Sequence, residues 1–331
     1  MRAMVLTATS PIGTKPLRFA TFPDPEPGPG EVRIRVGACA ACRTDLQIAE
    51  GDLAPHGLPI ILGHQVAGRV DAVGDGVTDW VEGDRAGLTW LAGSCGECAH
   101  CLAGRENLCP SSTFTGWHRH GGFAELVTAR ADVVVPLPEG SDDRELAPLL
   151  CAGVIGFRAL RIAGIQPGAR VGLYGFGASA RQAIQVARHM GCRVAVATRS
   201  ENDRERALSL GAEWAGGYDD PPPFPLDCAV TFAPSGDVVV SALRALDRGG
   251  TLAINAIHMD RIPALDYGDL WWERSIRSVA NVTRADARDY LMLAAQIPMR
   301  TEWEEHALPD ANRALQRIAS GEVQGAAVIV P

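Results

Sequence analysis

With 331 residues, 47% hydrophobic and 21% charged, the chain has a globular composition and the length for two domains, which excludes disordered and collagen-like architectures. No apolar run reaches the roughly 18 residues of a membrane span, and the first six residues do not begin a charged-then-apolar leader, so a cytoplasmic protein without a membrane partner is expected. The net charge of −8 argues against a nucleic-acid partner, whose phosphates require a basic face.

Residues 4–6 and 32–36 are short apolar or alternating runs that read as strands, separated by a Pro/Gly-rich stretch at 23–30 that can be neither helix nor inner strand. Further strands are expected at 65–72, 85–89, 124–129 and 133–136. Short strands at irregular spacing with Gly/Pro turns predict a small β-barrel-like domain. The pattern changes after Asp143. Helices are expected at 144–150 and 154–162, then a buried strand Arg170–Tyr174, a Gly175-Phe176-Gly177 break and a helix at 178–190. Strand Arg193–Ala197, a helix at 203–210, strand Leu226–Thr231 and strands at 251–254 and 276–279 complete an alternating series, the pattern of a doubly wound parallel sheet. A helix at 283–296 leads back, and a helix at 311–319 with strand Ala326–Val330 is expected to rejoin the first domain.

The nine cysteines are Cys39, Cys42, Cys95, Cys98, Cys101, Cys109, Cys151, Cys192 and Cys228. An odd count is a poor disulfide framework and favours metal binding or catalysis. Cys95-x2-Cys98-x2-Cys101-x7-Cys109 places four thiolates within reach of one ion. Zinc accepts a closed tetrahedron of sulfurs, which leaves no position for chemistry, so this cluster reads as a structural zinc site. A second set is dispersed: Cys42 in Cys42-Arg43-Thr44-Asp45, His64 in Gly63-His64-Gln65, and Cys151 in Leu149-Leu150-Cys151-Ala152-Gly153. Taken singly, each reads as an ordinary buried residue. Taken together, two Cys and one His leave a fourth zinc position open, the catalytic arrangement.

Gly175-Phe176-Gly177-Ala178-Ser179-Ala180 follows an expected strand and opens an expected helix, the context of a dinucleotide fingerprint. Gly175 makes the tight turn, Gly177 lets backbone approach a pyrophosphate, and Ala180 takes the third position, where glycine or alanine serves. The helix N-terminus offers amide donors to the phosphates. The next strand ends Ala197-Thr198-Arg199-Ser200, with no carboxylate for a ribose 2′-hydroxyl and with Arg199 able to pair with a 2′-phosphate, so NADP(H) is expected in preference to NAD(H). Thr198, Arg199, Ser200, Asn255 and Ile257 complete the expected coenzyme contacts.

The order Cys-x-Thr-Asp, Gly-His, four-Cys lobe, a further Cys and Rossmann glycines resembles the zinc-containing medium-chain alcohol dehydrogenases over essentially the whole chain. Pro148-Leu149-Leu150-Cys151-Ala152-Gly153, Tyr174-Gly175-Phe176-Gly177-Ala178-Ser179-Ala180 and Glu273-Arg274-Ser275-Ile276-Arg277-Ser278-Val279-Ala280-Asn281 resemble a bacterial branch of that family. The resemblance implies a GroES-like β-barrel catalytic domain (1–152 and 284–331, with the zinc lobe at 93–111) and a Rossmann coenzyme domain (153–283), with catalysis in the cleft between them. It implies two zinc ions per chain, the catalytic one held by Cys42, His64 and Cys151. Thr44 becomes the hydroxyl that takes a proton from the substrate alcohol, whose hydride passes to the nicotinamide. A small alcohol, aldehyde or ketone substrate and a dimer or tetramer of identical chains are implied as partners. Trp90, Phe114, Trp117 and Trp272 are candidate pocket walls.

Two positions depart from much of the family. Gln65 stands where a Glu follows the ligand His, and Gln47 where a His lies near the coenzyme ribose. Gln47 cannot accept a proton near neutral pH. Gln65 is expected to leave the metal without a nearby carboxylate and therefore more electrophilic. The alternatives are a zinc-poor relative reducing activated double bonds or quinones, and a structural protein on the same fold; the two Cys sets and Thr44 argue against both.

Overall fold

The computed structural model describes all 331 residues, Met1–Pro331, and the chain forms two compact units. The first comprises Met1–Cys151, Asn281–Leu291 and Arg300–Pro331; the second comprises Ala152–Ala280 and Met292–Met299.

The first unit is built around the strand Glu31–Ala41, whose apolar residues Val32, Ile34, Val36 and Ala38 alternate inward. One edge pairs antiparallel with Gln65–Val73. The other is shared, Leu126–Arg130 covering its first half and Ala326–Val330 its last, so the long strand is enclosed on both sides. Arg85–Leu88 and Val135–Pro136 extend the sheet at one end and Trp303–Ala307 at the other. A three-stranded sheet, Leu17–Thr21, Arg2–Leu6 and Ile60–Ile61, encloses the same core, in which Met4, Leu6, Ile34, Ile48, Leu62, Leu88 and Phe123 are fully buried. The helix Ala311–Ser320 contributes Ala311, Ala314 and Leu315, one face at helical spacing. The barrel-like character expected of this half is present.

The second unit is a six-stranded, all-parallel sheet in the order Trp214–Gly216, Arg193–Ala197, Arg170–Tyr174, Leu226–Thr231, Leu246–Ile254, Ser275–Ser278. The order reverses at Arg170–Tyr174, the switch point at which such sheets bind ligands. Helices Ala152–Ile162, Ala178–His189, Glu201–Ser209 and Gly236–Arg244 accompany it. The central strands are buried along their length rather than alternately, as a sheet covered on both faces requires. A Cβ on Gly156 would stand 2.6 Å from the Ser179 carbonyl oxygen, so helices Ala152–Ile162 and Ala178–His189 meet with backbone close to backbone.

Several elements differ from expectation. The helix expected at 144–150 is a short α-helix Asp143–Leu146 followed by a 3₁₀ turn Ala147–Leu150 that contains Pro148. Helices Arg43–Glu50 and Gly236–Arg244 and strands Leu17–Thr21, Trp214–Gly216 and Trp303–Ala307 were not anticipated. No helix is long and apolar enough to cross a membrane.

Candidate functional site

Cys42 ends the stretch after strand Glu31–Ala41 and caps helix Arg43–Glu50. Its Sγ accepts from the Thr44 backbone N–H at 3.4 Å, while its own N–H donates to Asp45 Oδ2 at 2.9 Å, a reciprocal capping box with a thiol in the hydroxyl's place. His64 follows Gly63, which holds φ +94°; a Cβ there would stand 2.5 Å from the Phe123 ring and 2.8 Å from Cys39 Sγ. Only glycine fits that turn, and the turn delivers His64 to Cys42 with Nε2 3.6 Å from Sγ. Cys151 follows the 3₁₀ turn Ala147–Leu150. The ligand atoms of Cys42, His64 and Cys151 all lie within 4.8 Å of one another.

Asp45 is a functional residue that sequence reasoning assigned no role. It is fully buried, and its Oδ1 accepts from the Gly63 N–H at 3.1 Å and stands 3.3 Å from His64 Nδ1. One carboxylate therefore caps the helix, braces the glycine turn and orients the imidazole. A carboxylate behind a ligating histidine fixes its tautomer, here turning Nε2 toward Cys42. The expectation that Gln65 leaves the site without a nearby carboxylate is thus corrected: Asp45 supplies one. Gln65 is itself buried, and its Nε2 donates to the Ala40 carbonyl at 3.1 Å.

The electrostatics match a set that trades protons for a cation. A hydrogen bond from the Cys151 thiol, assisted by His64, pulls Cys42 down to about 5 against its burial. Accepting no such help, Cys151 is pushed well above the ordinary thiol range by its bond to Cys42 and by burial. Burial opposes charge on His64, but the Asp45 carboxylate and the Cys42 thiolate outweigh it and raise the imidazole to about 10. Zinc, with sulfur at about 2.3 Å and imidazole nitrogen at about 2.0–2.1 Å, sets tetrahedral S···N corners roughly 3.6 Å apart. That matches the 3.6 Å found between Cys42 Sγ and His64 Nε2.

The second cluster lies between the paired strands Leu91–Gly93 and Thr113–Phe114. Cys95, Cys98, Cys101 and Cys109 bring their sulfurs within 4.8 Å of one another. The separations are 3.8 Å for Cys95–Cys101, 3.6 Å for Cys98–Cys101 and 3.5 Å for Cys95–Cys109. A tetrahedral zinc–sulfur site has edges of about 3.8 Å, so this donor set also fits zinc and is closed. Gly96 and Gly104 hold positive φ within the lobe.

The structure also places the expected coenzyme residues. Gly175 takes φ +90° directly after strand Arg170–Tyr174, and a Cβ there would meet the Ala233 backbone nitrogen at 2.9 Å. Gly177 caps helix Ala178–His189, and no atom stands within 4 Å of where its Cβ would be. Open space at a helix N-terminus is the cradle a pyrophosphate fills. Ala178 is exposed, Ser179 half-buried and Ala180 buried against the sheet. Thr198 is buried and Arg199 is exposed. Ser200 is engaged as a helix cap, its Oγ accepting from the Asp203 N–H at 3.3 Å. Asn255 continues its strand through an N–H donated to the Thr231 carbonyl at 2.8 Å, while Ile257 lies beyond it and is 79% exposed.

Of the expected pocket walls, Trp90, Phe114 and Trp117 form one cluster that abuts His64. Trp272 belongs to the second unit, where it holds φ +74° and packs under the Arg248 guanidinium at 3.9 Å from its ring centroid.

A GroES-like barrel carrying these two metal-ligand clusters, with a Rossmann sheet carrying its glycine turn, is the arrangement of the zinc-containing medium-chain dehydrogenases. Comparison with known proteins agrees. The description "Alcohol dehydrogenase GroES-like domain" matches residues 28–139. The chain is 47% identical to "Probable alcohol dehydrogenase AdhA" of Mycobacterium tuberculosis (strain CDC 1551 / Oshkosh), over 100% of this chain and 97% of that protein. Among solved structures it superposes on an NAD-dependent alcohol dehydrogenase with a TM-score of 0.88 at 28% identity, covering all of both chains. The cobalt- and zinc-bound thermostable alcohol dehydrogenase of Pyrobaculum aerophilum gives a TM-score of 0.88 at 26% identity, covering 100% of this chain and 99% of that one. The chain belongs to the zinc-type medium-chain alcohol dehydrogenase family and is an oxidoreductase.

Proposed function

We propose that this protein interconverts small alcohols with aldehydes or ketones, with two zinc ions per chain and NADP(H) preferred over NAD(H). The observation that carries the reading is the three-ligand cluster of Cys42, His64 and Cys151, which fits zinc and provides no fourth protein ligand of its own. A zinc ion held there supplies Lewis acidity to the oxygen of an alcohol or carbonyl, and a bound nicotinamide coenzyme supplies or accepts the hydride. Cys42, His64 and Cys151 hold and tune the ion; Asp45 orients His64. The Thr44 hydroxyl, one residue into the helix that Cys42 caps, takes the alcohol proton at Oγ1. Gln47, a turn further on, cannot hold a proton near neutral pH, so this position ends no relay from Thr44 and the proton would leave to solvent. Cys95, Cys98, Cys101 and Cys109 hold the second ion in a closed shell with a folding role.

Gly175, Gly177 and the first turn of helix Ala178–His189 receive the pyrophosphate. Thr198, Arg199 and Ser200 face the adenosine ribose, with Arg199 the partner for a 2′-phosphate. The protein is also proposed to be a homo-oligomer: strand Ser275–Ser278 ends the parallel sheet with one edge unpaired, and Tyr267, Trp271 and Trp272 are exposed just before it. Nine free cysteines suit a reducing, cytoplasmic setting.

Metal analysis of the purified chain tests the proposal, with two zinc ions per chain expected. Cys42→Ser should leave a folded protein that keeps only the zinc equivalent of the four-cysteine lobe and oxidises no alcohol. Full turnover in protein stripped of the ion at Cys42, His64 and Cys151 would overturn the reading.

A further inference from the structure

The motif at 273–281 takes no part in the metal clusters or the coenzyme cradle. Its Arg274 and the preceding Trp272 line a cavity of about 460 Å³ that lies wholly within the second unit. The end of helix Gly236–Arg244, the start of strand Leu246–Ile254 and the proline-rich run at 221–225 complete the walls. Asp247, on one wall, pairs with Arg170, the first residue of the central strand, at 2.9 Å, whereas Gly175 follows the last. The strands run parallel, so the cavity lies at the end of the sheet opposite the glycine turn, roughly 16 Å away along five residues at ~3.3 Å each.

The cavity carries cations that no carboxylate balances. The charge of Asp247 is met by Arg170, and Arg244 is paired with Asp269 at 2.9 Å. Arg274 is half-buried and spends N–H groups on the carbonyls of Leu246 at 2.8 Å, Asp269 at 3.0 Å and Asp247 at 3.3 Å. Those dipoles satisfy it as a donor and leave its charge uncompensated. Arg248 is exposed, and its guanidinium rests on the face of Trp272. Trp272 and Glu273 both hold positive φ, +74° and +59°, a conformation that bulky residues rarely adopt. The Gly249 N–H, donating to the Trp272 carbonyl at 2.8 Å, and the three Arg274 bonds hold that turn. It sets the indole against Arg248 and in the cavity wall, to which Pro222, Phe224 and Pro225 add apolar surface.

We infer that this cavity is a ligand site apart from the metal clusters, and that it takes a monoanionic aryl carboxylate. Arg248 offers its whole planar fork and Arg274 its remaining N–H groups, which together suit one carboxylate. A phosphate's second charge would find no further free cation on the wall, since Arg244 is committed to Asp269. The flat body lies against Trp272, Phe224 and the prolines, where a ring gains contact over its whole face. A cavity of this size accommodates a two-ring ligand.

The test is calorimetric titration of the purified, zinc-loaded protein with 2-naphthoate, with and without saturating NAD(P)H, and with neutral 2-naphthamide for comparison. Naphthoate should bind with a Kd of about 0.1–1 mM whether or not coenzyme is present, and the amide roughly tenfold more weakly. Arg248→Gln removes an exposed side chain that makes no hydrogen bond; it should weaken naphthoate roughly 5- to 10-fold and leave kcat/KM for alcohol oxidation unchanged. Trp272→Leu should weaken it roughly 3- to 10-fold, and Cys42→Ser should bind as wild type does. Equal affinity in wild type and Arg248→Gln, or for naphthoate and naphthamide, would overturn the inference. So would binding that is lost in Cys42→Ser or on adding coenzyme, which puts the probe at the metal cluster or the coenzyme cradle, and so would no binding at all, the result expected if a partner copy covers Trp272. None of these outcomes bears on the alcohol–carbonyl reading, which the zinc and turnover measurements test separately.

Discussion

Replacing Asp45 with Asn tests whether one buried carboxylate organises the metal cluster. The native side chain serves three donors: the Cys42 N–H at Oδ2 (2.9 Å), and at Oδ1 the Gly63 N–H (3.1 Å) and His64 Nδ1 (3.3 Å). An amide has one acceptor oxygen. If that oxygen faces Gly63 and His64, the NH₂ confronts the Cys42 N–H and the reciprocal half of the capping box is lost, at about 1 kcal/mol. If it faces Cys42, the NH₂ confronts His64 Nδ1 and Gly63 N–H, and the imidazole loses the partner that fixes its tautomer. Either choice removes a charge-assisted hydrogen bond in a fully buried place, an expected loss of about 1.5–3 kcal/mol in folding stability. Zinc affinity should fall about 10- to 100-fold, the usual cost of losing a carboxylate behind a ligating histidine. The metal-free His64 imidazole, held up near 10 by Asp45 and Cys42 against burial, should titrate lower. Competition with a zinc chelator gives the affinity, histidine NMR the titration, and urea unfolding the stability. An Asp45→Asn protein with wild-type zinc affinity would show that His64 is oriented by the glycine turn alone and refute the reasoning.

Glu106 lies in the zinc lobe and is buried, with Oε1 accepting from the Arg284 backbone N–H at 2.8 Å and from Arg284 Nε at 3.2 Å. Burial works against its charge, but these bonds outweigh it and depress the carboxyl, so its stabilisation is present above the unfolded value near 4.5 and fades as pH falls through the lower folded value. Glu106→Gln should therefore cost about 1.5–3 kcal/mol in urea unfolding at pH 7, with the gap to wild type narrowing toward pH 4; a pH-independent gap would contradict this. Arg199→Asp should move the NADPH/NADH ratio of kcat/KM toward NADH by about tenfold or more, and a wild type that prefers NADH would sink the 2′-phosphate assignment. Gln47→His should raise alcohol oxidation near neutral pH by well under ~10²-fold, because the relay lies away from the reacting carbon; superimposable pH profiles would make position 47 a spectator.

The parallel sheet was legible because its central strands are buried end to end and punctuated by glycine, so each apolar run declares itself. The four-cysteine lobe was legible because its spacing is local. The dispersed set was not legible from spacing: Cys42 and His64 meet only because Gly63 turns the chain, and that turn is set by Phe123 and Cys39. Asp45 was hidden for a different reason. An acidic residue three places into a helix reads as a capping partner, and its second task behind His64 exists only in three dimensions. Helix Gly236–Arg244 was obscured by Val238-Val239-Val240, a β-branched run that burial against the sheet forces into helical form. Strand Trp303–Ala307, with Glu304 and Glu305, has poor strand propensity and forms by pairing in parallel with Ala326–Val330. The clustering of Trp90, Phe114 and Trp117 was not legible, since an isolated aromatic carries no address in sequence.

The two glutamines and Asp45 together describe a site with a single working carboxylate. In a pair of buried carboxylates, each raises the cost of charging the other. Here Gln65 is neutral and occupied with the Ala40 carbonyl, tying the residue after His64 back into strand Glu31–Ala41. Asp45 carries its charge alone, spread over its donors on both oxygens. Two of those partners, the Gly63 N–H and His64 Nδ1, belong to adjacent residues, and the third belongs to the ligand Cys42. Forming helix Arg43–Glu50 therefore places Asp45, and placing Asp45 sets the turn, the tautomer and the spacing between sulfur and imidazole nitrogen. Folding of that short helix and preorganisation of the metal cluster are one physical event, which is why a substitution that only weakens the cap must also loosen the ligand set.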